Sequence, residues 1–258
     1  MIAFCFVRLP LAHPAPWRAA CPESDLTQKR HPCASCSFYE QSLWQPVAGK
    51  TLSTLTRSFI RSELSAGAVL YHQGAPSNGV YCVSRGLIAI RSYGSDGTSS
   101  LLRLAYPGEV IGYRAFLTGR EHKTEAQALL ASRVCVVAHR DASQVVQACP
   151  EVLSRLAIRC ADELDQCHDR IQAAARIPNK ERLAQLLDQL MAAHGNAQSN
   201  IRRMHLPISR QDLADILGVQ PETLSRLLKR LENDGRIRSS GRWIEILGRS
   251  RGALDHAE

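Results

Sequence analysis

The sequence predicts an α+β protein made of an N-terminal antiparallel β jelly roll, a long helix and a C-terminal winged helix-turn-helix. Three observations carry this. Short apolar runs cut by Gly- and Asp-containing turns fill residues 68–138. One narrow apolar stripe at helical spacing then runs from about Glu151 to Ile177. Finally, Ile208–Gly235 has the form of two helices joined by a tight turn.

The chain of 258 residues is long enough for two domains with cores. Its net charge of +8 and pI near 9.2 suit a polyanionic partner. No apolar run approaches the roughly 18 residues that span a membrane. The opening MIAFCFV is too short for a secretory signal core. The expectation is therefore a cytoplasmic protein with no membrane association. In a reducing compartment, nine cysteines point to thiol, metal or redox chemistry rather than a disulfide framework.

Residues 1–32, rich in Pro, Ala and Arg, have no period and are expected to form a disordered leader. His31-Pro32-Cys33-Ala34-Ser35-Cys36 carries a lone C-x-x-C. That spacing lets two thiolates reach one metal or form a tight disulfide. Thr51–Leu64 has the spacing of a short amphipathic helix. Val69–Tyr71, Val80–Val83, Leu87–Ile90, Leu101–Leu104, Glu125–Leu129 and Val134–Val137 are predicted strands, and Asp96-Gly97 favours a type I′ hairpin turn. These place a β-barrel sensor domain, with the cysteine segment at its start, over residues 33–145.

Asp141–Cys149 is predicted as a short helix. In the long helix, Leu153, Cys160, Leu164, Cys167, Ile171 and Ala174 approximate a heptad seam, while Asp162, Glu163, Asp165, Asp169 and Arg170 lie mostly off it. A helix this long with one stripe most simply pairs with its twin, so residues 146–177 are assigned to dimerisation and a homodimer is expected. Pro178 ends the helix. Asn179–His194 is a further helix, Gly195–Arg203 a polar loop, residues 178–250 the DNA-binding domain and 251–258 a frayed tail.

Within the C-terminal domain, Ser209 and Asp212 form a helix-start signature, Gly218 closes the first helix and Pro221 opens the second. Leu224, Leu227, Leu228 and Leu231 make the buried stripe of the second helix. Its opposite face presents Glu222, Ser225, Arg226 and Lys229. Arg can fork onto guanine, Glu can accept from cytosine N4, and Ser can meet several bases, so this face suits a major groove of double-stranded DNA. Arg236–Arg238, a Ser-Ser-Gly-Arg turn and Trp243–Ile246 form the wing hairpin. Arg236, Arg238, Arg242 and, at the first helix, Arg210 are the candidate phosphate contacts.

This order of barrel, long helix and winged helix resembles the CRP/FNR family of bacterial transcription regulators over roughly residues 33–248. Glu222-Thr223-Leu224-Ser225-Arg226 is similar to the E-x-x-S-R recognition helix of the FNR branch. The resemblance implies a homodimer that reads a TTGAT-N4-ATCAA palindrome, works with RNA polymerase and is not an enzyme. The cyclic-nucleotide branch has a Glu where this chain has Tyr113, and an Arg-Ser pair where it has Lys123-Thr124. The ribose acceptor is thus missing and a guanidinium fork is replaced by a point charge, which argues against cyclic AMP.

The oxygen-sensing FNR branch holds a [4Fe–4S] cluster on three N-terminal cysteines and one in the barrel. Cys33, Cys36 and Cys135 match three of the four. Ser42 or Trp44 stands where the third N-terminal ligand belongs, so Cys21 is the candidate fourth thiolate. A thiol–disulfide switch at Cys33–Cys36, and cysteines with no sensing role, stay open beside the cluster. Cys82 and Cys149 are expected to be small buried hydrophobes. Where the FNR branch has a repulsive Asp in the dimer helix, this chain has Cys167, which implies a dimer less dependent on its signal. Two alternatives complete the set. One is a haem or other small-molecule sensor, with His72, His122 and His139 as isolated candidate ligands. The other is a C-x-x-C oxidoreductase, for which no catalytic constellation is present.

Overall fold

The computed structural model describes residues 31–198 and 201–247. Cys21, nearly all of the leader and the tail lie outside the described residues. The chain divides into two compact units, Pro10–Gln166 and, together with residues 1–9, Cys167–Glu258.

The first unit opens with turns and a single 3-10 turn at Tyr39–Gln41, followed by helix α1 (Gly49–Ser58). Eight strands follow: β1 (Phe59–Leu64), β2 (Val69–Tyr71), β3 (Gly79–Arg85), β4 (Ile88–Tyr93), β5 (Ser99–Ala105), β6 (Val110–Ile111), β7 (Glu125–Ala128) and β8 (Ser132–Ala138). A short helix, α2 (Tyr113–Thr118), interrupts them, and α3 (His139–Ala148) and α4 (Pro150–Arg176) come after. The strands form two four-stranded antiparallel sheets, ordered β1-β8-β3-β6 and β2-β7-β4-β5.

Each sheet contributes its inner face to one apolar cluster, which includes Tyr71, Tyr81, Val83, Ile88, Ile90, Ile111, Ala126 and Val134. The first sheet also buries its outer face. There Val80 and Val137 pack with Leu43, Trp44, Leu55, Val145, Val152 and Leu156. Burial on both faces explains why Val80–Val83 and Val134–Val137 are nearly continuous apolar runs rather than alternating ones.

The predicted helix over Thr51–Leu64 ends at Ser58. Phe59–Leu64 is strand β1, because its backbone pairs with β8 from Phe59↔Val137 to Leu64↔Ser132. Sheet pairing outweighs the local helical period there. The β4–β5 hairpin is longer than the predicted two-residue turn. The Gly97 N–H donates to Gly94 O at 3.1 Å, and Gly97 has φ +79°. This is a three-residue loop whose left-handed position requires glycine.

The second unit contains α5 (Asn179–His194), β9 (Asn196–Gln198), β10 (Ile201–His205), α6 (Arg210–Leu217), α7 (Pro221–Asn233), β11 (Ile237–Ser240) and β12 (Trp243–Ile246). Its sheet order is β11-β12-β10-β9. The predicted loop Gly195–Arg203 is therefore largely strand. In β10, Met204 is buried between exposed Arg203 and His205, too short an alternation to signal a strand alone. Pairing with β12, from Arg202↔Ile246 to His205↔Trp243, fixes it.

The predicted start of α6 is present as a complete capping box. Ser209 Oγ accepts from Asp212 N–H at 3.1 Å, and Ser209 N–H donates to Asp212 Oδ2 at 2.9 Å. Gly218 ends the helix at φ +67°. Ser209→Ala should cost about 1 kcal/mol, seen as a lower chemical-denaturation midpoint with little change in slope. An unchanged midpoint would show that the cap does not hold the helix.

Candidate nucleic-acid interface and thiol core

Helix α7 packs against α5, α6 and β11. Leu224, Leu227, Leu228 and Leu231 are buried beside Leu213 and Leu217 of α6 and Leu183 and Leu187 of α5. This apolar stripe sets the rotation of α7 and turns Glu222, Ser225, Arg226 and Lys229 outward, all four exposed or partly exposed. Glu222, Arg226 and Lys229 have no polar partner among the described residues. Ser225 Oγ donates to Pro221 O at 3.0 Å and keeps its lone pairs free to accept. The structure thus gathers the predicted base-reading residues on one solvent-facing strip.

The wing arginines separate into two groups. Arg236, read from sequence as a phosphate contact, instead donates to both carboxylate oxygens of Glu181 at 2.9 and 2.8 Å and is only one-third exposed. It fastens the wing to α5. Arg238 is 70% exposed and lies 3.3 Å from Glu245, so its charge remains at the surface. Arg210 and Arg242 are exposed, with a guanidinium nitrogen of each on a backbone carbonyl: Gly241 O at 3.4 Å and Leu206 O at 2.9 Å respectively. Sequence analysis passed over Arg203, whose guanidinium lies 4.3 Å from the centre of the partly exposed Trp243 ring.

In the first unit, Cys135 stands directly between Arg61 on β1 and Cys82 on β3. Facing residues on adjacent strands project from the same side, here the outer face of the sheet. Arg61 donates to Pro32 O at 2.6 Å, which draws the Cys33 segment toward Cys135. The Cys36 N–H closes a turn on Cys33 O at 2.8 Å. Cys33 is buried in the outer-face cluster, with Cys36 and Cys82 packed against it. Cys33, Cys36 and Cys135 are thus neighbours, as the sequence suggested, and Cys82 joins them. Ser42 Oγ lies 3.6 Å from Cys33 Sγ. Burial pushes the Cys33 thiol up to about 11. Burial likewise raises Cys82 and Cys135, with Arg61 partly opposing it at Cys135. Among the described residues, no three His, Cys, Asp or Glu side chains stand in metal-holding geometry.

Tyr113, at the position of the missing ribose acceptor, is buried. Its hydroxyl donates to Glu163 of α4. Arg103 donates to Glu109 Oε2 at 2.6 Å and lies 3.4 Å from Glu163 Oε1. Burial opposes the Arg103 charge, but Glu109 and Glu163 outweigh it and raise its pKa. Lys123 is exposed. The histidines are dispersed. His72 pairs with Glu125 at 2.7 Å, His122 stacks on Tyr71 with ring centres 3.9 Å apart, and His139 lies 3.4 Å from Ser77 Oγ.

Along α4, Val152, Leu156 and Ala173 are buried, whereas Leu153, Leu164 and Ile171 of the predicted seam are 46%, 56% and 68% exposed. Their apolar surface is unmatched within the chain.

A Crp-like helix-turn-helix domain matches residues 181–251, and a cyclic nucleotide-binding domain matches residues 61–149. The nitrogen fixation regulation protein FixK of Bradyrhizobium diazoefficiens is 28% identical over 211 residues, 80% of this chain and 86% of the relative. The cAMP-activated global transcriptional regulator CRP of Escherichia coli O6:H1 is 28% identical over 182 residues, 70% of this chain and 86% of the relative. A solved CRP/FNR-family transcriptional regulator from Thermus thermophilus superposes with a TM-score of 0.63 at 25% identity, covering 73% of this chain and 93% of its own.

The raised Cys33 thiol gives a pH dependence of known sign. A group whose pKa is higher folded than unfolded stabilises fully below its unfolded value of about 8.5. That contribution is lost as pH rises through the folded value, about 11. Unfolding free energy of the reduced protein should therefore decline across this window, and less steeply in Cys33→Ala. Equal slopes would show that Cys33 is not desolvated in the fold.

Proposed function

The chain belongs to the CRP/FNR family of transcription regulators, and on that premise we propose that it is a homodimer reading a TTGAT-N4-ATCAA palindrome under control of a redox, oxygen or nitric oxide signal. It is a DNA-binding regulator by family. The finer reading assigns sensing to residues 33–145, dimerisation to 146–177 and DNA recognition to 178–250, with RNA polymerase as the further partner.

The observation that carries the DNA target is the outward strip of α7. Glu222, Ser225 and Arg226 face the bases, and Lys229 meets the backbone. Arg210, Arg242 and Arg238 meet phosphates, which set register and salt dependence without reading sequence. Two copies related by a dyad place two α7 helices about one DNA turn apart. The exposed Leu164 and Ile171 supply the seam between the two α4 helices.

Cys33, Cys36 and Cys135 fit a soft metal centre in donor chemistry and in their gathering on one sheet face, and they are the residues that would hold a [4Fe–4S] cluster with a fourth thiolate. Cys21 is the candidate fourth ligand from the leader. Such a cluster supplies electron-transfer chemistry at a potential tuned by its surroundings. The protein's own part is to couple this segment to α4. Arg155 of α4 donates to Ser42 O at 2.6 Å and to Gln45 Oε1 at 2.7 Å. A shift in the cysteine segment therefore biases α4, and through α4 the dimer seam, as a change in population between two arrangements.

Arg226→Ala should erase the preference for the palindrome over scrambled DNA at fixed salt. Loss of one bidentate base contact corresponds to roughly 10- to 100-fold. Retained preference would remove Arg226 from base reading. Ile171→Glu should move the protein from dimer toward monomer in sedimentation at micromolar concentration. A dimer of undiminished stability would place the seam elsewhere.

A further inference from the structure

The sequence offered Cys82 only as apolar filling, and the strand register gives it a different setting. Cys82 of β3 and Cys135 of β8 are direct antiparallel partners on the outer sheet face. Facing partners of this kind stand about 5 Å apart at Cα. Cys33 and Cys36 are brought to the same face by their own turn and by the hold of Arg61 on Pro32. All four thiols lie within electrostatic reach of at least two others.

The two positions where a third N-terminal ligand was sought also line this cluster. Ser42 bonds Cys33 Sγ. Trp44 is fully buried, and its indole N–H has no acceptor at hydrogen-bonding distance, yet it is close enough to Cys82 Sγ to favour the thiolate. A buried, unpartnered donor beside a thiol is what a charged sulfur would satisfy. The side chain of Arg61 and, on α4, that of Arg159 offer positive charge to the same sulfurs.

We infer that Cys33, Cys36, Cys82 and Cys135 form a tetrathiolate site for a thiophilic metal centre, with Cys82 as the fourth ligand. This rests on the reading of the first unit as the sensor and replaces a ligand from the leader by one within the barrel. Each thiol gives up its proton to solvent on ligation, so a divalent ion taken up by four thiols leaves a dianionic site and releases four protons. Arg61 and Arg159 offset that charge. The thiols are not preassembled, since no three ligands stand in metal-holding geometry among the described residues. Ligation requires them to turn inward, Cys82 and Cys135 about χ1 and Cys33 and Cys36 with their turn. An iron–sulfur cluster and a single zinc-like ion use the same tetrathiolate chemistry.

The test is a cobalt(II) titration of the reduced, metal-free, full-length protein without oxygen. The expected result is one cobalt per chain, with the sulfur-to-metal charge-transfer and ligand-field bands of a tetrahedral tetrathiolate. Cys82→Ala should lose those bands and weaken uptake by more than about 100-fold, whereas Cys149→Ala should retain both. Ser42→Cys added to Cys82→Ala restores a fourth thiol beside Cys33 and should recover the tetrathiolate spectrum, which separates ligand loss from misfolding. Unchanged bands in Cys82→Ala, their loss in Cys21→Ser instead, or no stoichiometric cobalt uptake by the parent protein would each overturn the proposal. Iron and sulfide analysis of protein purified without oxygen then distinguishes a cluster from a single ion. Palindrome binding is measured separately, so a failed DNA target and a failed metal site give different results.

Discussion

The register of β8 between β1 and β3 is the constraint on which the first unit depends. β8 pairs with β1 through Arg61↔Cys135 and with β3 through Cys82↔Cys135, and its alternation serves two cores at once. Val134 and Val136 face the inter-sheet core, and Cys135 and Val137 the outer one. A slip of one residue would exchange these sets. It would also separate Ser132 from Leu87, whose N–H donates to Ser132 Oγ at 3.1 Å. Because α3 follows β8 directly and α4 returns Val152 and Leu156 to the outer cluster, the same register fixes where the long helix begins.

In the second unit the governing effect is the sorting of charge. An excess of cations draws the chain to a polyanion, but the structure withdraws several of them from that role. Arg236 is committed to Glu181, Lys180 to Asp234 at 2.8 Å, and Arg182 to Leu217 O at 2.9 Å, where it closes the end of α6. Partly exposed pairs like these contribute at most about 1 kcal/mol each, so their consequence is orientation rather than stability. They lock α5, α6, α7 and the wing into one body, and α7 keeps its outward strip free. Base reading needs this rigidity, since a bidentate Arg contact depends on direction more than on charge.

The elements with strong local signals were legible in the sequence. The capping box at Ser209, Gly218, Pro221 and the leucine stripe of α7 each rest on neighbours within a few residues, and the structure keeps all of them. β1 and β10 were not legible, because their strand character comes from partners far along the chain. Arg236 illustrates the same limit in the site. Its type and position suit a phosphate, and only the fold brings Glu181 to it. Cys82 is the converse case. It sits in a visible apolar run, but pairing with Cys135 is a matter of register, which no local pattern states. Ser42 and Trp44 were singled out by spacing as missing ligands, and their contacts with Cys33 and Cys82 give that spacing a physical meaning.

The contacts of α4 suggest where a signal can act. Glu163 is held by Tyr113 and Arg103 on the side where the cyclic-nucleotide branch would place its ligand. Losing Glu163 would leave the Arg103 guanidinium, largely withdrawn from water, with Glu109 as its main counterion, a costly arrangement. The barrel thus grips α4 there through its own side chains, and no bound nucleotide is needed to make that contact. Arg155 lies eight residues earlier, about 12 Å along the helix, and grips the cysteine segment through Ser42 O and Gln45 Oε1. These are exposed or partly buried polar contacts to a segment built from turns, which yields more readily than a sheet. Of the two grips on α4, the one at Arg155 is therefore the one that chemistry at the thiols can shift, while the Glu163 grip serves as its fixed point.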